Sequence, residues 1–275
     1  MTLIAIDAGH GMDTAGKRTP AFEDGTIMKE NEFNEATAQY LSEALKRNGF
    51  STILVAPEKN DTSLQTRVQR ANDAKADAYI SIHANAYGNG WNSANGIESW
   101  IYDKSDANTL HLAEEIEKEV VAMTKRKDRG VKRSSDLYVL RYTKMMAVLV
   151  ECGFLTNLEE ATLLRSQKYR KDCAEGICKG ICDYYGIIYT AEATQQTDCC
   201  PKRYETVQQL PYGKEVIHML IDNGWLQGDE KGNLDLTLDM VRIFMVLDRA
   251  GVFEEKQQKT ISAKEKKNGK RKKKA

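Results

Sequence analysis

No apolar run in this 275-residue chain approaches the ~20 residues that a bilayer crossing requires, so no transmembrane helix is expected. No secretory leader is expected either. Met1-Thr2 passes straight into Leu3-Ile4-Ala5-Ile6, with no basic segment, apolar stretch or small-residue cleavage site. Synthesis in the cytoplasm is therefore expected, with any target beyond the membrane reached through a separate pore. No Cys-x-x-Cys pair occurs among the six cysteines: Cys173, Cys178 and Cys182 fall on one helical segment, and Cys199 and Cys200 are adjacent. That excludes the usual structural zinc motif and, without a leader, argues against a disulfide framework. The thiols read as reduced core fillers. Histidine is scarcer still, at His10, His83, His111 and His218.

The bulk composition, 41% hydrophobic and 29% charged, is that of an ordinary globular chain. Its length allows one sizeable core plus a smaller unit. The formal net charge of zero conceals an asymmetry. Residues 253–275 hold ten Lys or Arg against three Glu, an excess of seven positive charges, so the rest of the chain is negative by seven. A cationic tail behind an anionic body points to an anionic partner, while the bland alternative is a solvated, disordered end.

Strand and helix signals alternate from the start. After Leu3–Ile6 comes a polar loop from Met12 to Lys29, then a helix with Asn31 as cap and Phe33, Ala36, Tyr40, Leu41, Ala44 and Leu45 at helical spacing. Phe50 to Val55 reads as a strand, and Thr62 with Gln65 as the capping box of a helix carrying Leu64, Val68 and Ala71. Further strands are expected around His83, from Gly96 to Tyr102 and around Glu151. A helix is expected near Ala107 to Thr124, a loop with a short strand over Arg129 to Arg141, and closing helices over Asn157–Arg165 and Lys168–Tyr185. This alternation predicts a three-layer α/β/α domain on a mostly parallel, mixed sheet over residues 1–188. A linker over 189–202, a small helical domain over 203–252 and a basic disordered tail over 253–275 complete the expected plan. About 50 residues make a small core, so pairing of two copies through that C-terminal domain is one expected means of stabilising it.

Three strands share one feature. Leu3–Ile6 runs into Asp7-Ala8-Gly9-His10-Gly11, Tyr79–Ile82 into His83-Ala84-Asn85, and Ala147–Val150 into Glu151-Cys152-Gly153-Phe154. In α/β sheets ligands gather beyond the carboxyl ends of the strands, so His10, His83 and Glu151 should meet in one cleft. A hydrolytic zinc site takes three protein ligands from His, Asp or Glu and keeps a fourth position open. His10 and His83 supply two. Glu30, at the entrance of the first helix, is the choice for the third, with Glu23 and Asp24 as competitors. His111 sits in a charged helix and His218 in the small C-terminal unit, both read as surface or structural. Glu151, a lone acid leaving an apolar strand, suits the proton shuttle, because desolvation raises a carboxyl pKa. Cys152 beside it has no histidine to activate it as a nucleophile. Taken singly, a histidine after a strand is more often a hydrogen-bonded turn residue, and Glu30 a helix-dipole acid; the case rests on their joint placement.

These residues also resemble a family. Asp-Ala-Gly-His-Gly at 7–11, Glu-Asn-Glu-Phe-Asn at 30–34, Ser-Ile-His-Ala-Asn at 81–85 and Val-Glu-Cys-Gly-Phe-Leu-Thr-Asn at 150–157 are similar, in order and spacing, to the zinc-dependent N-acetylmuramoyl-L-alanine amidases of the Amidase_3 type. Ser63-Leu64-Gln65-Thr66-Arg67 and Arg129-Gly130-Val131-Lys132 fit as well. The resemblance covers residues 1–188. It implies one zinc ion held by His10, Glu30 and His83, with Glu151 as catalytic acid/base. Asn85 and Arg129 are expected to touch the substrate. The implied reaction cleaves the amide between the lactyl group of muramic acid and L-alanine in peptidoglycan. Where the family often has proline before its Val-Glu strand, this chain has Met145-Met146.

Gly-Trp-Leu-Gln-Gly at 224–228 and Leu-Asp-Met-Val-Arg at 238–242 resemble small helical modules appended to phage and prophage lysins, which implies wall binding or assembly. The role expected from all this is a bacteriolytic phage or prophage endolysin, attached to peptidoglycan and anionic wall polymers, with no nucleic-acid partner. The alternatives are a host autolysin or sporulation-type amidase, and a wall-binding protein without catalysis.

Overall fold

The computed structural model describes residues 1–192, 203–229 and 232–253, and these fall into two compact units that part at Glu192. The linker from 193 onward, Cys199-Cys200 and the basic tail beyond Phe253 lie outside the described residues.

In the first unit the strands are β1 (Leu3–Ala8), β2 (Ser51–Leu54), β3 (Ala78–Asn85), β4 (Ile97–Tyr102), β5 (Asp128–Ser134) and β6 (Met146–Phe154). They form one sheet in the order β2-β1-β3-β6-β4-β5. β2, β1, β3 and β6 are parallel, β4 runs antiparallel to β6, and β5 parallel to β4. The helices are α1 (Glu30–Arg47), α2 (Leu64–Asp73), α3 (Ala107–Thr124), α4 (Tyr138–Tyr142), α5 (Leu158–Arg165) and α6 (Gln167–Tyr185). Because strand side chains alternate between faces, Ile4, Ile6, Ile80, Ile82, Val148 and Val150 pack on one side with apolar residues of α1, α3 and α6. Ala5, Tyr79, Ala147 and Leu149 pack on the other with residues of α2 and α4. The expected three-layer α/β/α fold on a mixed, mostly parallel sheet is what the chain adopts.

Local details depart from the sequence reading. Helix α1 begins at Glu30 rather than after Asn31, because Asn31 spends its amide on the β1 loop: its Nδ2 donates to the carbonyls of Gly9 at 3.3 Å and His10 at 3.1 Å. Helix α2 is capped by Ser63, whose Oγ accepts from Thr66 N at 3.2 Å, not by a Thr62–Gln65 box; the Thr62 hydroxyl donates instead to Glu58. The segment expected as loop and short strand holds a seven-residue β5 and the short α4. The chain also stays docked past Ile188, since Thr190 N donates to Asn48 Oδ1 at 2.6 Å and Asn48 Nδ2 returns a bond to Thr190 O at 3.1 Å.

Helix α6 lies unusually close to α3. A Cβ placed on Gly180 would stand 2.5 Å from the Ile116 Cα, and one on Gly176 2.8 Å from the Val120 Cα, so only glycine permits this backbone approach. Cys173, Cys178 and Cys182 of α6 are free and buried in the same core, as is Cys152 of β6.

One buried acid makes this core pH-dependent. Glu117 of α3 takes a 2.7 Å bond from Ser99 Oγ. Burial pushes its pKa up to about 7, against the Ser99 bond and with the help of the Asp128 charge. A raised acid favours the fold while protonated, so this contribution is complete below about pH 4.5 and lost as pH rises through about 7. Glu117→Gln is expected to remove that dependence. Denaturant unfolding from pH 4.5 to 8 should show the variant gaining about 2 kcal/mol on the wild type across the window, and a constant difference would contradict it.

The second unit has its own core. Tyr204 and Leu236 form an isolated antiparallel bridge, a 3-10 turn spans Val207–Gln209, and α7 (Lys214–Asp222) and α8 (Leu238–Arg249) follow. Tyr204, Val207, Leu210, Ile217, Leu220, Leu236, Val241 and Phe253 are buried together. Thr237 caps α8 through a 3.3 Å bond from Met240 N. Among the described residues no helix is long and apolar enough to cross a membrane.

Candidate metal centre and cleft

His10, Glu30 and His83 come together at the carboxyl end of the sheet. One potential ligand atom from each lies within 4.8 Å of the others, the one such group of three among the described residues. Glu30 is the hub, 2% exposed. Its Oε1 meets His83 Nδ1 at 2.9 Å and accepts from Ala84 N at 3.2 Å and Asn34 Nδ2 at 3.2 Å. Its Oε2 stands 3.3 Å from His10 Nε2. The two imidazoles meet edge to face, centroids 4.9 Å apart.

Local sequence explains how the three arrive there. His10 has a left-handed backbone, φ 59°, unusual for a residue with a side chain. Three side chains hold that turn: Asn34 Nδ2 donates to Gly9 O at 2.9 Å, Asn31 bridges the Gly9 and His10 carbonyls, and Arg67 donates to His10 O at 3.0 Å. The Glu-Asn-Glu-Phe-Asn run thus places one candidate ligand and two clamps for another on adjacent faces of one helix. Arg67, 1% exposed, also bonds Asp7 Oδ1 at 2.5 Å, Ala8 O at 2.5 Å, Thr62 O at 2.7 Å and Asp61 Oδ1 at 2.8 Å. Gly9 is needed for space: a Cβ there would lie 2.2 Å from His83 Cε1. Gly9→Ala is accordingly expected to displace the His83 ring and weaken zinc binding at least tenfold, roughly the loss seen when the support of a metal ligand is removed. Competition against a chromophoric chelator would measure it, and unchanged affinity would count against the packing argument.

The donor set fits zinc: two imidazoles and a carboxylate, with space for a fourth ligand. Tetrahedral coordination at about 2.0–2.1 Å separates donors by roughly 3.3 Å, close to the 3.3 and 2.9 Å contacts between Glu30 and the two histidines. At two of the three donors the protonation state suits binding, whereas at His83 burial is outweighed by the bond to and charge of Glu30, which raise its pKa, so a bound metal would displace that proton. Burial lowers the His10 pKa to about 4, outweighing Glu30, so this ring is neutral near pH 7. Glu30 is held at about 2: burial opposes its ionisation, but His83 and His10 overcome it.

Glu151 lines the same cleft, a space of about 120 Å³ whose walls include His10, Lys17, Glu30, His83, Asn85 and Leu155. It sits directly across from His83 in the β3–β6 register. Burial pushes its pKa up to about 8, against the attraction of His83 and with Glu30 and Glu98 adding to the rise. Its Oε2 is buried and takes no hydrogen bond. Cys152 points to the opposite face, into the core, its thiol 3.9 Å from Val150 O. Asn85 lines the cleft, whereas Arg129 reaches it indirectly: Glu98 accepts from Asn85 Nδ2 at 2.8 Å and from Arg129 Nε at 2.6 Å. Glu23 and Asp24 are exposed in the loop, with Asp24 bonded to Thr26, and do not join the ligands. His111 and His218 are exposed elsewhere.

Next to the cleft runs a groove of about 540 Å³ lined by Arg18, Thr19, Ile27, Asn89 and Thr156 among others, and Gly16 and Ala86 border both spaces. The sequence reading passed over Glu98, although a lone acid inside Ile-Glu-Ser-Trp-Ile-Tyr is the same signal that marked Glu151. It gave Arg67 no role, since nothing local to Arg67 announces that the side chain turns inward.

Comparisons with known proteins agree with this geometry. The N-acetylmuramoyl-L-alanine amidase family model, Amidase_3, matches residues 4–183. The chain is 39% identical over 186 residues to the N-acetylmuramoyl-L-alanine amidase LytC of Bacillus subtilis, covering 66% of this chain and 35% of LytC. It is 34% identical over 195 residues to the endolysin of Bacillus phage SPP1, covering 67% of this chain and 66% of that protein. The crystal structure of an N-acetylmuramoyl-L-alanine amidase from Clostridium difficile 630 superposes with a TM-score of 0.62 at 32% identity, over 67% of this chain and 97% of that one. Together with the fold and the His-Glu-His cluster at its sheet edge, these matches show that the chain belongs to the Amidase_3 family of N-acetylmuramoyl-L-alanine amidases.

Proposed function

We propose that the first unit hydrolyses the amide joining N-acetylmuramic acid to the L-alanine of the peptidoglycan stem, with zinc held by His10, Glu30 and His83. The observation that carries this reading is the meeting of those three donors beside Glu151 in one cleft. Zinc bound there supplies Lewis acidity toward water and the scissile carbonyl. The remaining work belongs to side chains of the chain. Glu151, in the same cleft with its Oε2 unbonded, takes a proton from the attacking water and returns it to the departing amine. Asn31, Asn34 and Arg67 keep His10 in place, so the cleft is set before substrate arrives. The adjoining groove accommodates one arm of the polymer. Digestion of purified peptidoglycan with mass-spectrometric identification of new termini is expected to show free L-alanine amines, with a chelator abolishing their appearance. New reducing sugar ends, or cleavage inside the peptide, would overturn the assignment.

The physiological role we propose is phage or prophage lysis: cytoplasmic synthesis, passage through a separate membrane pore, and attack on the wall from within. The 34% identity to the SPP1 endolysin supports it. The excess of positive charge in residues 253–275 suits attachment to anionic wall polymers, with the second unit as the wall-binding or assembly module. A host cell-wall or sporulation-type role is the second reading, favoured by the 39% identity to LytC, an amidase of the bacterium rather than of a phage. The intact ligand set speaks against a wall-binding protein without catalysis. Pairing of two copies through the C-terminal unit draws no support from the comparisons.

A further inference from the structure

Across β3, β6 and β4, polar side chains form one transverse row on a single face of the sheet. His83 stands opposite Glu151, and Glu151 opposite Glu98, in consecutive strand registers. Directly paired residues on neighbouring strands project to the same side. Glu98, 2% exposed, therefore sits one strand beyond Glu151 in the same row. Both its oxygens are taken. Oε1 accepts from Asn85 Nδ2 at 2.8 Å and from Trp100 Nε1 at 3.1 Å. Oε2 accepts from Arg129 Nε at 2.6 Å and from the Lys132 ammonium.

A buried carboxylate needs a reason, and packing alone would favour an apolar residue there. Burial works against its ionisation, yet Lys132 and Arg129 carry its pKa below the ordinary value, so the charge is present. One negative charge then faces two positive ones, leaving one cation without a counter-charge in this group. The side chains of Arg129 and Lys132 remain 29% and 32% exposed. Each is also held against a ring, Arg129 Cζ 4.9 Å from the Phe154 centroid and Lys132 Nζ 5.3 Å from that of Trp100. Such fixed, half-exposed cations with an excess of charge are built to receive an anion.

We propose that Glu98 is a positioning residue that sets Asn85, Arg129 and Lys132 as an anion-receiving rim of the cleft, and that its ligand is a free carboxylate on the peptide portion of the substrate. Strands lie about 4.8 Å apart, which puts the β5 cations roughly 10 Å from Glu151, the reach of two to three residues of extended peptide. The inference rests on the amidase reading and adds to it a preference between substrates.

The test compares two soluble muropeptides that differ only in whether the carboxylate of the second stem residue is free or amidated, using the full zinc-loaded chain. Wild type is expected to show a KM about tenfold lower for the free acid, the size of one charge-assisted hydrogen bond. Glu98→Gln and, separately, the rim variant Lys132→Gln should bring that ratio close to one, chiefly through KM for the free acid, while kcat on the amidated substrate follows wild type more closely. A merely structural role would slow both substrates alike. Equal KM values in wild type, or a ratio preserved in both variants, would overturn the proposal. Cleavage of neither muropeptide by wild type would overturn the amidase reading, and this inference with it.

Discussion

Glu151→Gln is expected to lower turnover by roughly 10²–10⁴ while zinc content stays at wild-type level. Glutamine keeps the shape of the side chain and cannot carry a proton between water and the leaving amine. The geometry separates the two roles. Glu30 lies among the candidate ligands, with His83 Nδ1 2.9 Å and His10 Nε2 3.3 Å from its oxygens. Glu151 lines the same cleft with one oxygen unbonded. Elemental analysis alongside single-turnover hydrolysis of a soluble muropeptide would show metal retained and chemistry lost. Turnover within tenfold of wild type would remove Glu151 from the proton-shuttle role, and loss of metal would make it a ligand.

A large loss of stability is expected from Arg67→Met. The guanidinium is buried among five acceptors and pairs with Asp7, which also receives Ser81 Oγ at 2.8 Å. Methionine fills much of the volume and leaves the Asp7 carboxylate buried without its counter-charge, at about 3–5 kcal/mol. For a unit of this size that corresponds to a fall in Tm of about 10 °C or more. The double variant Asp7→Leu, Arg67→Met should recover a good part of it, because a buried pair costs little when both partners are removed together. If the single variant melted like wild type, the clamp would be ornamental. If it melted low yet bound zinc with full affinity, the role of Arg67 in holding the His10 turn would fall while its role in the core stood.

The contrast between Glu151 and Arg67 shows what was legible in the chain. Residues at the ends of apolar strands announce themselves, because strand direction and the carboxyl-end rule assign them a location from the sequence alone. His10, His83 and Glu151 were placed that way, and the three-layer fold followed from the strand-helix alternation. Glu30 was separable from Glu23 and Asp24 only weakly, since all three lie in or beside one loop and the choice depends on where α1 begins. That start was misplaced by the Asn31 signal. An Asn before an apolar stripe reads as a cap, yet here its amide holds a carbonyl 21 positions earlier in the chain, a tertiary demand that local pattern does not carry. The same applies to Gly9, which looks like a turn glycine and is in fact the space into which the His83 ring fits.

The Gly176–Gly180 seam bears on the order in which the molecule is made. His10, Glu30 and His83 leave the ribosome well before α6 exists, and until that helix is complete the sheet face behind them is covered only by α1 and α3. Ile80, Ile82, Val148 and Val150 share a core with Ile177 and Ile181 of that late helix. A nascent chain arrested before α6 would therefore carry every candidate metal donor beside a half-covered, greasy flank, so the unit can set firmly only once its last helix has docked.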